Sequence, residues 1–272
     1  MPETTLANYH THTTRCHHAE GTEEEYIQTA LHGGYHVLGF SDHTPWCYRT
    51  PGFTSRIRML PKELDGYVQT LQALKEKYKD QLHLHIGLEV EYFPDYLDWL
   101  SEESARLSIE YWILGCHYDT TDENRDSSNF LCFAYPESSA DIRRYAEQVE
   151  AAMETGKYLY LAHPDLCLNH HNHFGPEEEA ALREICTAAV KHNMPLEYNL
   201  AGLLCSHDRT DGTLGYTTDV FWEIAADYPV RAILGCDAHA PAELDLVPLL
   251  REKQAWLRSL GIQVLDTLPG LV

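Results

Sequence analysis

Short apolar runs alternate with helix-like segments from one end of this 272-residue chain to the other. Seven runs have the length and the β-branched or aromatic content of buried strands. They cover residues 6–9, 37–40, 82–88, 111–116, 158–162, 196–199 and 232–236. Because strands that alternate with helices are joined by right-handed crossovers, the pattern predicts an α/β fold built on a parallel sheet.

The segments between the runs carry helix start signals. Thr22 and Glu25 form a capping-box pattern, and Pro61, Pro176 and Pro241 each stand where a first helical turn would begin. No repeat, low-complexity stretch or Gly/Ser linker interrupts the chain, so we predict a single domain over residues 1–272. A chain of this length is typical of one α/β barrel.

The composition excludes some classes of partner. The chain has 42 acidic and 20 basic residues, and its formal net charge of −22 repels nucleic acid and anionic membrane surfaces. A small phosphorylated substrate is compatible with this charge, because bound divalent cations reverse the field locally. The eight cysteines are scattered singly, and residues 1–10 contain no basic or apolar stretch. We therefore expect a cytoplasmic protein with reduced thiols.

Nearly every apolar run leads into a His, Asp or Glu. In chain order these are His10, His12, Asp42, His43, Glu89, Glu91, His117, His163, Asp165, Glu197, Asp237 and His239. One such residue at a strand end is usually a helix cap or a hydrogen-bonded structural group. Their recurrence favours a closed or distorted barrel over an open sheet, which concentrates its ligands at one switch point.

Imidazoles and carboxylates in such numbers indicate metal binding. His10 and His12 are two residues apart, so in a strand both would point to the same side. These ligand types suit Zn²⁺, Mn²⁺ or Fe²⁺, and their number exceeds what one cation needs, so two or three cations are predicted. Close cations can orient an anionic ester, acidify a bridging water and stabilise the leaving oxygen. The predicted chemistry is phosphate-ester hydrolysis.

The ordered set of motifs resembles the polymerase-and-histidinol-phosphatase (PHP) family over almost the whole chain. The motifs are His10-Thr11-His12-Thr13, Ser41-Asp42-His43, Gly87-Leu88-Glu89, Gly115-Cys116-His117, His163-Pro164-Asp165 and Gly235-Cys236-Asp237-Ala238-His239. Residues 16–22 and 24–26 resemble in particular the free-standing L-histidinol-phosphate phosphatase branch. The resemblance implies a distorted (β/α)7 barrel with three divalent cations at the C-terminal ends of the strands.

The resemblance also implies how the ligands are divided. One cation would take His10, His12 and Asp237 and share Glu89 with a second held by His117 and His163, and a third would take His18, His43 and His239. A hydroxide bridging two of these cations would attack phosphorus. His17 is the alternative to His18, and Glu91 is the alternative to Glu89. The catalytic candidates are Asp42, His43 and Asp237, where Asp42 would either protonate the leaving group or orient a histidine.

The substrate implied by the branch is L-histidinol phosphate, an intermediate of histidine biosynthesis. The branch usually has arginines after the H-x-D-L segment and after the sixth strand, but residues 165–171 and 201–205 contain none. Since arginine grips phosphate with two hydrogen bonds, other residues would have to replace these arginines. The substrate-binding candidates are His17, Arg15, Arg49, Arg58 and Arg209.

Three alternative functions remain open. The chain could act on another phosphomonoester, such as a sugar phosphate or a nucleotide, and the missing arginines favour this reading. It could hydrolyse an amide or lactone with metal assistance, as amidohydrolase-type barrels do. It could also be a non-catalytic metal-binding regulatory domain, although the full set of candidate ligands weighs against that interpretation.

Overall fold

The computed structural model describes residues 5–123, 132–207 and 209–271. The chain is an α/β fold with a curled parallel sheet. Its strands are β1 (Ala7–Asn8), β2 (Val37–His43), β3 (His83–Val90), β4 (Tyr111–Leu114), β5 (Leu196–Asn199), β6 (Arg231–Gly235) and β7 (Gln263–Val264). Its helices are α1 (Glu23–Gly33), α2 (Leu64–Tyr78), α3 (Leu97–Leu107), α4 (Ser139–Glu154), α5 (Pro176–Lys191), α6 (Leu200–His207), α7 (Asp219–Ala225) and α8 (Val247–Ser259).

The strands form two parallel sheets, in the order β1-β2-β3-β4 and β5-β6-β7. Leu161 joins the two sheets. It forms one parallel bridge to Leu114 in β4 and one to Leu196 in β5. A further parallel bridge links Thr11 to Ala238, just beyond β1 and β6. The carboxyl ends of β1 and β6 are therefore neighbours in space.

Six of the predicted strands are confirmed, and one prediction is wrong. Residues 158–162 form no strand, although Leu161 bridges both sheets. The backbone bends at Leu159 and again at Ala162, which leaves Leu161 with single bridges, and His163 follows with a left-handed φ of 31°. The two-residue strand β7 was not predicted, because residues 263–264 lack the length and the burial of a strand signal.

The predicted helix starts are confirmed at two places. Thr22 caps α1 and forms a capping box with Glu25, and Pro176 is the first residue of α5. Pro61 and Pro241 instead begin short 3₁₀ turns that precede α2 and α8. Within the described ranges, no helix combines the length and the apolar character needed to cross a lipid bilayer.

Apolar side chains form a large cluster between the sheet and its helices and a smaller second cluster. The second cluster contains Ala7, Tyr9, Val37, Tyr111, Ile113, Tyr160, Ala162, Ile233, Leu268 and Leu271. Most of these residues stand two apart along their strands, so they share the inner face of the curled sheet. This packing fills the interior near the amino ends of the strands. The carboxyl ends are left for polar side chains.

Tyr111 in this inner cluster requires a glycine on the neighbouring strand. The Tyr111 hydroxyl donates a hydrogen bond to the carbonyl oxygen of Tyr9 at 2.8 Å, and the buried ring is held in place. A Cβ at Gly87 would collide with this ring, whereas a Cβ at Gly66 in α2 would meet nothing within 4 Å.

We predict that Gly87→Ala lowers the free energy of unfolding by at least about 2 kcal/mol, because the overpacked ring cannot move away. The matched variant Gly66→Ala should leave the protein as stable or raise its stability by up to about 1 kcal/mol through helix propensity. Denaturant unfolding of both variants measures the difference. Equal stability of Gly87→Ala and the unmodified protein would contradict the predicted clash.

Candidate metal centre

The residues predicted from the strand ends meet at one edge of the sheet. His43 is the last residue of β2 and Glu89 lies near the end of β3, while His117 and Asp237 follow β4 and β6. Parallel strands place their carboxyl ends on the same side, which brings these side chains together. Two positions need an unusual backbone: His163 and Asp237 have φ of 31° and 51°. Left-handed conformations of such residues are common at functional sites.

Glu89 lies at the middle of this group and is 2% exposed. Its Oε1 atom is 3.0 Å from Nε2 of His163 and 3.7 Å from Nε2 of His117. On the other side, Oε2 is 2.8 Å from Nδ1 of His43. A single carboxylate therefore faces imidazoles with both of its oxygens, as a bridging ligand would.

A first set of donors consists of His10, His12 and Asp237, whose ligand atoms all lie within 4.8 Å of one another. The Asp237 Oδ1 atom is 3.3 Å from Nε2 of His10 and 3.1 Å from Nε2 of His12. The same two nitrogens are 3.7 Å and 3.6 Å from Oε2 of Glu89. This set therefore shares Glu89 with its neighbours.

A second set consists of Glu89, His117 and His163, again within 4.8 Å of one another. Glu91 lies behind it, because its Oε1 atom is 2.7 Å from Nδ1 of His117 and its Oε2 atom accepts a hydrogen bond from the His117 backbone N–H. Arg58 in turn contacts Glu91 at 2.8 Å. Glu91 therefore orients a histidine, and Glu89 points into the centre.

A third set contains His18, His43 and His239. His43 and His239 group with His12, and His18 groups with His239 and Cys16, each within 4.8 Å. The His18 and His43 rings are 5.4 Å apart. The neighbouring His17 stands at the left-handed end of a 3₁₀ turn and is exposed, as His18 is, so the grouping with His239 and Cys16 is what favours His18.

The hydrogen bonds of His18 and His239 show which ring nitrogens are available to bind a cation in the third set. The Nδ1–H group of His18 donates to the carbonyl oxygen of Cys16 at 2.8 Å, and that of His239 donates to the carbonyl oxygen of Asp237 at 3.0 Å. In the neutral rings both Nε2 atoms then carry lone pairs, and they face each other at 3.0 Å. Such lone pairs repel unless a proton or a cation lies between them. Two nitrogens bound to one zinc at about 2.0–2.1 Å would have a similar separation.

In His10, too, one ring nitrogen is available to bind a cation. Its Nδ1 atom is 2.8 Å from Oε1 of Glu197 and can donate a proton there, so in the neutral ring Nε2 carries the lone pair. This buried Nε2 atom has no hydrogen-bond partner among the described residues, although two carboxylates face it. A divalent cation would satisfy all three groups at once.

The charges of the centre also fit cations. Burial raises the pKa of Glu89 and Asp237, but the adjacent imidazoles, chiefly His43 and His10, lower both pKa values well below the usual range. Burial lowers the pKa of His10, whereas the carboxylates of Asp237, Glu197 and Glu89 outweigh it and raise this pKa to about 10. The centre thus concentrates buried negative charge, which divalent cations would neutralise.

Glu197 and Asn199 were not assigned a role from the sequence. Beyond its contact with His10, Glu197 accepts hydrogen bonds from the His163 backbone N–H at 3.1 Å and from the Asn199 amide at 2.8 Å. Asn199 also donates to Asp237 at 3.1 Å. The available signal was two polar residues, two apart, in a fully buried strand.

Asp42 lies outside the cavity that the centre faces. It is fully buried, accepts hydrogen bonds from the Thr13 hydroxyl and the His43 backbone N–H, and lies 3.5 Å from Nδ1 of His12. These contacts favour its role in orienting histidines over its role as a proton donor to a leaving group. His43 and Asp237, the other catalytic candidates, line the cavity.

The cavity has a volume of about 450 Å³ and opens above the donors. The described residues that line it are His18, His43, Ile57, Glu89, His117, Ala134, Tyr135, His163, Leu166, Asn169, Ala201, Cys205, Tyr216, Asp237, His239 and Glu243. None of them is Lys or Arg. Tyr135, one of these lining residues, stacks its ring on that of His170, with the ring centroids 4.2 Å apart.

The arginines predicted to bind substrate do not line this cavity. Arg15 pairs with Glu23, and the exposed Arg49 pairs with Asp95. Arg58 is buried, and in addition to Glu91 it contacts Asp122 at 3.0 Å.

Arg209 is the exception in one respect, because it bonds to a residue that lines the cavity. Its guanidinium donates to both the backbone and side-chain oxygens of Asn169.

The fold and the site define the class of this protein. The family model of the PHP domain matches residues 8–201, and the chain belongs to the PHP domain family.

Named relatives resemble it over most of their length. The probable histidinol-phosphatase of Deinococcus radiodurans is 29% identical over 246 residues, which cover 89% of each chain. The histidinol-phosphatase of Bacillus subtilis is 24% identical over 263 residues, covering 86% of this chain and 94% of the relative.

Two solved structures share the fold. The putative histidinol phosphatase hisK from Listeria monocytogenes has a TM-score of 0.69 at 20% identity, with 87% of this chain and 96% of that chain covered. The histidinol phosphate phosphatase HISK of Lactococcus lactis, which was solved with zinc, L-histidinol and phosphate, has a TM-score of 0.68 at 17% identity, with 96% and 95% covered.

We predict that Glu197→Gln weakens metal binding about 10- to 100-fold, because an outer carboxylate fixes the tautomer and basicity of a histidine ligand. Gly235→Ala should act in the same direction, since a Cβ there would collide with the Glu197 carboxylate. Competition with a chromophoric chelator measures the affinity.

The matched control is Glu110→Gln, because Glu110 also contacts a histidine, His85, at 2.7 Å. This pair belongs to no candidate metal set named here, so Glu110→Gln should bind metal as the unmodified protein does. Equal losses in both glutamate variants would show that the Glu197 effect is not specific to the centre.

Proposed function

We propose that this chain hydrolyses L-histidinol phosphate to L-histidinol and phosphate with the help of divalent cations. The observation that carries the proposal is the convergence of three donor sets around Glu89, with lone pairs facing each other or facing carboxylates. Whole-length similarity to proteins named histidinol-phosphatase supports the substrate. The PHP domain supports the phosphoesterase class.

The proposal includes a distorted (β/α)7 barrel as a single domain over residues 1–272. Seven chain segments would form it, with the segment around Leu161 as the fifth. The two bridges of Leu161 support this count, and the bridge between Thr11 and Ala238 supports closure between the first and seventh segments. The centre would then lie at the C-terminal ends of the strands, where parallel barrels commonly bind substrates.

The donor sets support three divalent cations, Zn²⁺, Mn²⁺ or Fe²⁺. His10, His12 and Asp237 would hold one, His117 and His163 a second with Glu89 shared between them, and His18, His43 and His239 a third. When bound, such cations polarise the phosphoryl group and acidify a water molecule.

The remaining tasks belong to the chain itself. Glu197 and Glu91 hold Nδ1 of His10 and of His117 by hydrogen bonds, and Asp42 lies 3.5 Å from Nδ1 of His12, so these carboxylates would orient the three rings. His43 and Asp237 are the catalytic candidates that reach the cavity.

Two residues that line the cavity outside the donor sets suit a leaving group with positive charge. Glu243 lines it with a carboxylate, and Tyr135 presents an aromatic ring. Histidinol carries an ammonium group and an imidazole, which a carboxylate and an aromatic ring can bind. The absence of Lys and Arg from the described lining gives a second phosphate group, as in a sugar bisphosphate, no cationic partner there.

The proposal is tested by metal analysis of the purified protein and by phosphate release from a panel of esters. We expect up to three metals per chain and a preference of about a hundredfold in kcat/KM for L-histidinol phosphate over glucose 6-phosphate and AMP. If the protein binds metal but prefers another ester, the phosphatase chemistry stands and L-histidinol phosphate is not the substrate. Failure to bind divalent cations would overturn the proposal.

Glu89→Gln provides the sharpest variant. We predict that it lowers kcat/KM by at least about a thousandfold, because one neutral amide replaces the shared carboxylate. Glu110→Gln, a carboxylate outside the centre, should keep full activity. Activity of Glu89→Gln within about tenfold of the unmodified protein would contradict the role of Glu89 as shared ligand.

A further inference from the structure

The wall of the cavity beside the donor sets offers few groups that can bind an anion. Its polar side chains outside those sets are Tyr135, Asn169, Tyr216 and Glu243, together with the thiol of Cys205. Phosphate oxygens that are not bound to cations need N–H or O–H donors. Asn169 has two N–H bonds in one side chain, which no other member of this group has.

Arg209 fixes the orientation of that amide. Its guanidinium donates to Oδ1 and to the backbone oxygen of Asn169, and it also donates to Oγ1 of Thr213 at 2.9 Å. Because Oδ1 accepts from Arg209, the Nδ2 group must point to the other side of the amide. Asn169 is 8% exposed, so its side chain has little freedom to turn.

The position of Asn169 relates it to the second donor set. The Gly215 backbone N–H donates to the Asn169 carbonyl oxygen at 3.2 Å. The next residue, Tyr216, meets the His163 ring edge-on at 6.1 Å. Asn169, Tyr216, His163 and Glu89 all line the same cavity, so Asn169 shares this space with the second donor set.

We propose that Asn169 binds a non-bridging oxygen of the phosphate monoester through its Nδ2 group and that Arg209 is a positioning residue that acts through Asn169. The inference rests on the proposed phosphatase function. It also changes the role predicted for Arg209 from the sequence. The guanidinium would not bind the substrate itself but would orient the side-chain amide of Asn169, which binds the substrate.

The first test compares Asn169→Asp and Asn169→Ala with the unmodified protein. Asp has the shape of Asn and keeps an acceptor for Arg209, but it replaces the donor with a repelling charge. The dissociation constant of inorganic phosphate is measured by calorimetry on the metal-loaded protein, and kcat and KM are measured with the best ester. We expect phosphate binding at least about tenfold weaker in both variants, with a raised KM, kcat within about threefold and unchanged metal content.

The second test is a double-mutant cycle between the two residues. Arg209→Gln should weaken phosphate binding about tenfold in the unmodified protein, have little effect when Asn169 is already alanine, and be partly rescued by Arg209→Lys. A matched control is Arg183→Gln, since Arg183 forms ion pairs with Glu179 and Asp227 and is not among the described residues that line the cavity. That variant should bind phosphate normally.

The outcomes separate the inference from the proposed function. Unmodified phosphate affinity in Asn169→Asp, or an Arg209→Gln effect that persists fully without Asn169, would overturn the inference even if histidinol phosphate is hydrolysed. If no ester is hydrolysed, the proposed function fails. Calorimetry with inorganic phosphate then still decides the role of Asn169, because it needs no turnover.

Discussion

A single buried carboxylate organises this structure. Glu89 stands where three sets of donors meet, and its two oxygens face histidines supplied by separate strands. A buried charge is costly unless it is paired, so Glu89 ties the ends of these strands to one another through electrostatics. The imidazoles around it can be neutral, and then the charge must be balanced by ions from solution. Stability and the proposed metal binding therefore depend on the same side chain.

The chemistry of the centre depends on a second layer of carboxylates. Glu197 and Glu91 each hold Nδ1 of one histidine and so turn its Nε2 toward Glu89. Both also accept hydrogen bonds from backbone N–H groups, which connects ligand orientation to the backbone of the sheet. Space for Glu197 depends on Gly235, because any larger side chain would displace it. Gly235, two residues before Asp237, thus has a steric role as well as a place in a motif.

Much of the fold and of the donor sets could be predicted from the sequence, because both depend on local patterns. Apolar runs identify strands, and His or acidic residues directly after them identify one edge of a parallel sheet. The segment around Leu161 departs from strand geometry because its backbone bends at Leu159 and Ala162, and no local sequence pattern predicts these bends. The Glu197 and Glu91 contacts are likewise tertiary.

The arginines show the limit of sequence reasoning most clearly. A long, flexible side chain can reach many partners, and its choice depends on carboxylates and carbonyls brought near by folding. Arg58 is neutralised in the interior by Glu91 and Asp122, and Arg49 is paired with Asp95 at the surface. Their sequence positions near the motifs gave no indication of these partners.

The bridge between Thr11 and Ala238 has a consequence for the synthesis of the chain. His12 and Asp237, which contact each other at 3.1 Å, are 225 residues apart in sequence. A nascent chain therefore displays its H-x-H pair long before the aspartate that completes the donor set leaves the ribosome. Contacts of such long range form late, because closing so large a loop has an entropic cost. Tight metal binding, as proposed above, would thus mark a chain in which the carboxyl ends of β1 and β6 have already met.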